Sequence, residues 1–155
     1  MKAEVLNAFL HASINCLAKE TQAPVRRLGL TLDANDQVSH DVNVYVAFVG
    51  TVRGNCFISM ERTTARKLVG RMLGEEEREL SEMAFSALAE IGNLIAGGAC
   101  MTLDRMGHPC DITPPGLMIG NRSRVSTLGL PRFIIPLETC AGQVDIQVAI
   151  DIISQ

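Results

Sequence analysis

Val5, Ala8, Phe9, Ala12 and Leu17 recur at the spacing of one helix face, so residues 2 to about 20 predict an amphipathic helix. After Pro24 the period changes to two. Val25 with Leu28-Leu30-Leu32, then Val42-Val44-Val46-Phe48, then Val52 through Met60 predict three strands, the last two joined by a tight turn at Gly50-Thr51. The polar run Asp33-Ala34-Asn35-Asp36-Gln37 reads as a loop within the domain. Thr63 or Thr64 is placed to cap a short helix whose apolar positions are Ala65, Leu68, Val69, Met72 and Leu73, and Gly74 suits its C′ position. Glu75-Glu76-Glu77 follows as a solvated connection. Ser81 is a good N-cap with Glu82 in the first turn, and the helical pattern after it, the longest in the chain, runs to Gly107-His108-Pro109. Leu117 to Gly120, Val125 to Leu128 and Phe133 to Leu137 are short strand candidates. Val144, Ile146, Val148, Ile150 and Ile152 then alternate with Asp145, Gln147, Ala149 and Asp151, the pattern of a half-buried strand.

The two halves look alike: a helix, about three strands, and one extra short helix between the units. The residues themselves hardly repeat, so an old duplication is inferred from the order of elements. Helices followed by runs of strands with hairpin-length connections predict an α+β fold with a mainly antiparallel sheet and the long helix packed on it. No linker-like stretch divides residues 1–155, and a single domain is expected.

Composition narrows the function classes. The 155 residues carry 14 Lys+Arg against 17 Asp+Glu, a net charge of −3, with no Lys/Arg run to follow a nucleic-acid backbone or an anionic membrane surface. No apolar h-region follows Met1-Lys2-Ala3-Glu4 and no continuous apolar run is long enough to span a bilayer, so a cytoplasmic protein is expected. Cys16, Cys56, Cys100, Cys110 and Cys140 are widely spaced with no C-x-x-C, which fits reduced, mostly buried thiols and leaves the sequon Asn121-Arg122-Ser123 unused. His11, His40 and His108 stand far apart, and no dedicated metal site is expected.

Candidate chemistry sits on the long helix. At 100° per residue, Phe85, Leu88, Ile95, Ala99, Leu103 and Met106 fall together on a core-facing side, while Ser86, Glu90, Asn93, Gly97 and Asp104 gather on the opposite one. Glu90 and Asn93 are i, i+3 neighbours. Gly92, Gly97 and Gly98 each cost the helix about 0.8–1 kcal/mol relative to Ala, which points to close approach of another chain segment. A solvated amphipathic face, with the glycines packing a neighbouring helix, accounts for the same residues.

Ser86-Ala87-Leu88-Ala89-Glu90-Ile91-Gly92-Asn93, then Leu94-Ile95-Ala96-Gly97, with Asp111-Ile112-Thr113-Pro114-Pro115 after them, closely resembles the S-x-x-x-E-x-x-N signature of the CheX and CheC chemotaxis phosphatases. Length and a single good motif are closer to CheX. The resemblance implies a CheC-like fold and removal of the phosphoryl group from the phospho-aspartate of a CheY-type response regulator. It implies Asn93 as the residue that positions the attacking water and Glu90 as the partner of the regulator's Lys. Ser86, Gly97 and Met101 become docking positions. No cofactor of the protein's own is implied, the Mg²⁺ being held by the receiver domain, and a homodimer is expected.

That chemistry is coherent. An acyl phosphate is already activated, so a partner need only hold water for in-line attack, and a carboxamide does so without changing protonation. It also accounts for the absence of a phosphate-cradling loop or a nucleophile elbow, and Cys100 reads as a packed small residue. Glu4-Val5-Leu6-Asn7 repeats E-x-x-N but lacks the Ser four residues before, and bulky Phe9-Leu10-His11 follows, so it reads as a degenerate copy. Thr113-Pro114-Pro115 is expected to end a loop and start an edge strand. Two other functions fit less of the sequence: a non-catalytic module binding a receiver domain or flagellar-switch-like partner through the same stripe, and a small-molecule site lined by Met60, Met72, Met101 and Met118.

Overall fold

A computed structural model describes residues 3–33, 40–76, 78–120, 127 and 129–153. The elements in chain order are α1 (Ala3–Thr21), β1 (Arg26–Arg27), β2 (Thr31–Asp33), β3 (Val42–Gly50), β4 (Val52–Met60), α2 (Arg62–Leu73), α3 (Glu82–Arg105), β5 (Cys110–Ile112), β6 (Gly116–Ile119), β7 (Arg132–Thr139) and β8 (Gly142–Ile152). All of the strand candidate at 125–128 but Thr127, the sequon and the polar run after Asp33 lie outside the described residues.

Among the described residues all strand pairings are antiparallel, in the order β1-β7-β8-β4-β3-β5, with β2 also on β7 and β6 also on β3. The expected duplication is visible in this order. Each half is a helix, two short strands and a long hairpin, and the short strands of one half pair with the hairpin of the other. The unit therefore holds four strands, not three. The hairpins meet along β4 and β8, from Val52 opposite Ile152 to Met60 opposite Val144. On one face α1 and α3 pack over the even-numbered residues of β3, β4 and β8, burying Val44, Cys56, Ile58, Ile146 and Val148 with Phe9, Leu88 and Ile95. Phe9 meets Phe48 edge to face at 5.3 Å between ring centroids, a favourable aromatic geometry that fixes α1 on β3. Gly98 lets α3 come close to α1, since a methyl group there would lie 3.3 Å from Ala12 Cβ.

Three local expectations are corrected. Leu28, Leu30 and Leu32 do not form a half-buried strand: β1 and β2 are fragments at the sheet edge, and these leucines are exposed. The last strand is buried on both faces because it runs in the sheet centre, between β4 and β7, and so it is not an edge open to pairing across a dimer axis. Its polar residues turn to a polar far face, where Asp145 accepts from Gln143 Nε2 at 2.9 Å and lies 3.3 Å from His40 Nε2. Buried polar groups persist when they satisfy one another. Thr63 and Thr64 lie inside α2, which starts at Arg62; the Arg62 N–H donates to Asp41 Oδ1 at 3.2 Å, so the capping anion comes from another part of the chain. β5 precedes the Thr113-Pro114-Pro115 break, and β6 starts just after it.

The remaining caps follow expectation. Gly74 closes α2 in the left-handed conformation at φ 73°. Ser81 accepts from the Ala84 N–H at 3.2 Å. At 24 residues α3 is long and apolar enough to cross a membrane, but Leu88, Ile91, Ile95, Ala99 and Leu103 are all buried in the core here.

Candidate functional site

α3 presents the stripe that its sequence spaces out. Ser86, Glu90, Asn93, Met101 and Asp104 are exposed, Gly97 is half-buried, and Leu88, Ile95, Ala99 and Leu103 are buried opposite them. Among the described residues Glu90 and Asn93 have no hydrogen-bond or ion-pair partner, and both side chains are exposed. The face is also held firmly. Gly92, between them, is buried against β3, where a methyl group would overlap Val44 Cγ1 and lie 3.6 Å from Pro115 Cβ.

Ser86, Ala89, Glu90 and Asn93 form one wall of an open groove of about 570 Å³ whose other wall is Ile112, Thr113, Pro114 and Pro115. Thr113 fixes that second wall to β3: its N–H donates to the Ala47 carbonyl at 3.0 Å, and its Oγ1 accepts from the Ala47 N–H at 3.0 Å. The structural role expected of Thr113-Pro114-Pro115 thus coexists with a place in the site. Ile112 and Ala89 carried no polar signal that sequence reading could have used.

The expected docking positions are not all in one place. Ser86 lies in this groove, while Met101 lies in a neighbouring groove of about 460 Å³ with Cys100, Asp104, Pro109, Cys110 and Asp111. Fifteen residues of helix separate Ser86 from Met101, about 22 Å along α3. Gly97 sits between them, its nearest neighbour for an added methyl group being Ile112 Cδ1 at 4.0 Å, so that glycine leaves open room instead of filling a packing need. Cys100 is half-buried as a packed residue, though against another thiol. The methionines do not gather into a site: Met60 is in the core and Met101 is exposed. Glu4 and Asn7 are exposed on α1. Among the described residues no three His, Cys, Asp or Glu side chains converge as a metal site would require.

An antiparallel sheet of two interlocked halves with the long helix α3 packed on it gives the chain a CheC-like fold. The sequence profile described as "Chemotaxis phosphatase CheX" matches residues 42–138, and the chain belongs to that family. It is 33% identical over 95 residues to the CheY-P phosphatase CheX of Thermotoga maritima, a match spanning 61% of this chain and 61% of that relative's length. Among solved structures it resembles the chemotaxis protein CheX of Vibrio vulnificus, with a TM-score of 0.86 and 24% identity over 96% of this chain and 100% of that one. It also resembles the CheX–CheY–BeF3–Mg²⁺ complex of Borrelia burgdorferi, with a TM-score of 0.82 and 27% identity over 94% of this chain and 96% of that one.

Proposed function

We propose that this protein dephosphorylates the phospho-aspartate of a CheY-type response regulator. The observation that carries the reading is the pair Glu90 and Asn93, exposed, without partners among the described residues, and set in the wall of an open groove of about 570 Å³. Family membership, the name of the Thermotoga relative and the composition of the Borrelia complex support the same substrate class.

In this reading Asn93 enters the regulator's site, its carbonyl accepting a hydrogen bond from the attacking water so that an oxygen lone pair points at phosphorus. The new P–O bond forms as the bond to the aspartyl oxygen breaks, releasing inorganic phosphate and the free carboxylate. The regulator's Mg²⁺ and Lys carry the charge on the phosphoryl oxygens, and this chain adds no cofactor. Glu90 pairs with that Lys and so sets the register in which Asn93 arrives. Ser86 and Gly97, being small, let the regulator's loops approach α3, and Met101 adds apolar contact further along. The site needs no perturbed nucleophile, in keeping with the absence of one on this face.

The same reading includes a homodimer acting in the cytoplasm. Exposed Leu28, Leu30 and Leu32 at the outer sheet edge supply an apolar surface for a second copy, since an apolar strand edge is a template for pairing.

Release of inorganic phosphate from a phosphorylated receiver domain in the presence of Mg²⁺ tests the proposal. Wild type should accelerate release, and Asn93→Ala should lower the rate by about 10²-fold or more while still binding. Glu90→Ala should weaken both binding and turnover. Binding by wild type with no acceleration against any receiver of the same cell would leave a docking module on the same helix face.

A further inference from the structure

Cys100 and Cys110 stand apart from the other thiols. Cys100 lies in the C-terminal part of α3 and Cys110 opens β5, and their Sγ atoms are 3.1 Å apart. Cys100 Sγ also donates to the Cys110 carbonyl at 2.8 Å. Both are half-buried in the wall of the second groove, beside Met101, Asp104 and Pro109, so a small solute reaches the pair without the core opening. Cys56 is fully buried, Cys140 is exposed, and neither has a thiol neighbour.

We propose that Cys100 and Cys110 are a redox-modification site, a dithiol that a hydroperoxide converts to an intramolecular disulfide. The side chains already point at one another from two different elements. Bond formation brings the sulfurs from 3.1 Å to about 2.0 Å, a closure that side-chain rotation and a slight strand movement supply.

The order of events follows from the surroundings. Burial, and then the hydrogen bond with Cys100, push the Cys110 thiol up to about 12, so it keeps its proton at neutral pH and is the second to react. The Cys100 sulfur attacks one peroxide oxygen; the O–O bond breaks, and the leaving oxygen takes the Cys100 proton and departs as water or alcohol. The resulting Cys100 sulfenic acid is then attacked by the Cys110 sulfur, the S–O bond breaks, and water leaves with the Cys110 proton. Two thiols lose two electrons, and one hydroperoxide takes them up.

The bond would act on the candidate site through its second wall. Cys110 lies just before Ile112, Thr113, Pro114 and Pro115, which face Glu90 and Asn93 across the first groove. Tying Cys110 to α3 fixes that wall to the helix carrying the pair, and a loop of about ten residues is closed.

The experiment uses the full chain with Cys140→Ser, which removes the exposed competing thiol. After treatment with a small excess of hydrogen peroxide and digestion by trypsin without reductant, peptides 79–105 and 106–122 should appear joined, lighter than their sum by two hydrogen atoms. Dithiothreitol should separate them. The melting temperature should rise by roughly 5–10 °C on oxidation, and amide exchange over residues 110–115 should slow. Cys100→Ser and Cys110→Ser should each lose the rise. Oxygen added to either cysteine with no linked peptide would overturn the proposal, as would a linked peptide with neither thermal shift nor slowed exchange.

Discussion

Replacing Gly92 by alanine separates a glycine that the fold requires from one that it merely tolerates. In an unobstructed helix the change is stabilising by about 1 kcal/mol, through lower backbone entropy in the unfolded chain and better helix propensity. Here the new methyl group overlaps Val44 Cγ1, and Val44 is fully buried in β3, so it has no solvent to turn into. Overpacking of this kind costs about 1–3 kcal/mol. The net expectation is a loss of up to about 2 kcal/mol, read from urea melts as a lower midpoint at unchanged slope. The same push moves α3 away from β3 beside Glu90 and Asn93. In the proposed reaction a displacement on the order of 1 Å there should lower phosphate release by about 10²-fold. Val44→Ala should relieve the overlap, so the double variant should show a coupling of about 1 kcal/mol or more in its favour and regain rate. Gly97→Ala is the internal control: with Ile112 Cδ1 at 4.0 Å it has room, should gain up to about 1 kcal/mol of stability, and should raise KM for the phosphorylated regulator with kcat little changed. A Gly92→Ala protein that is more stable than wild type and fully active would refute the reasoning.

Three further outcomes follow from other parts of the structure. Ser81→Ala removes the acceptor of the Ala84 N–H and should cost about 1 kcal/mol, measured by thermal or urea unfolding, with Ser81→Asp restoring it. Burial pushes the Cys56 thiol from 9.0 up to about 12, so the unfolded chain loses that proton first. Stability is then unaffected by this group below about pH 9 and falls toward pH 12 at about 1.4 kcal/mol per pH unit, a slope that Cys56→Ala should remove from urea midpoints taken across that range. If the apolar sheet edge joins two copies, Leu30→Asp with Leu32→Asp should shift the protein to a monomer in sedimentation at unchanged circular dichroism; a dimer that persists would place the interface elsewhere.

The long helix, its cap and its two faces were legible in the sequence because they depend on short-range periodicity. Spacing at 3.6 residues places Leu88 and Ile95 opposite Glu90 and Asn93 whatever surrounds the helix, and Ser81 caps it through a contact three residues away. The hairpins β3–β4 and β7–β8 were legible for the same reason. The limits of that reading show at Asp145 and Gln147, where alternation assigned the correct faces but not their solvation. A strand's neighbours are set by the whole sheet, and β8 proved central. Leu28, Leu30 and Leu32 failed in the opposite direction, apolar alternation at an edge that nothing in the described residues covers. Likewise Asp41 caps α2 from outside it, a partnership no local pattern announces.

The sequence by itself therefore determined the kind of elements, the helix face that carries Glu90 and Asn93, and the motif that pointed to the family. Only the tertiary structure decided that Pro114 and Pro115 face that pair across a groove, that Gly92 and Gly98 serve packing while Gly97 leaves space, and that Cys110 meets Cys100. Local pattern reports interactions between residues a few positions apart, whereas these contacts depend on how β5 and β6 pair with β3, a long-range arrangement governed by the burial of the whole core.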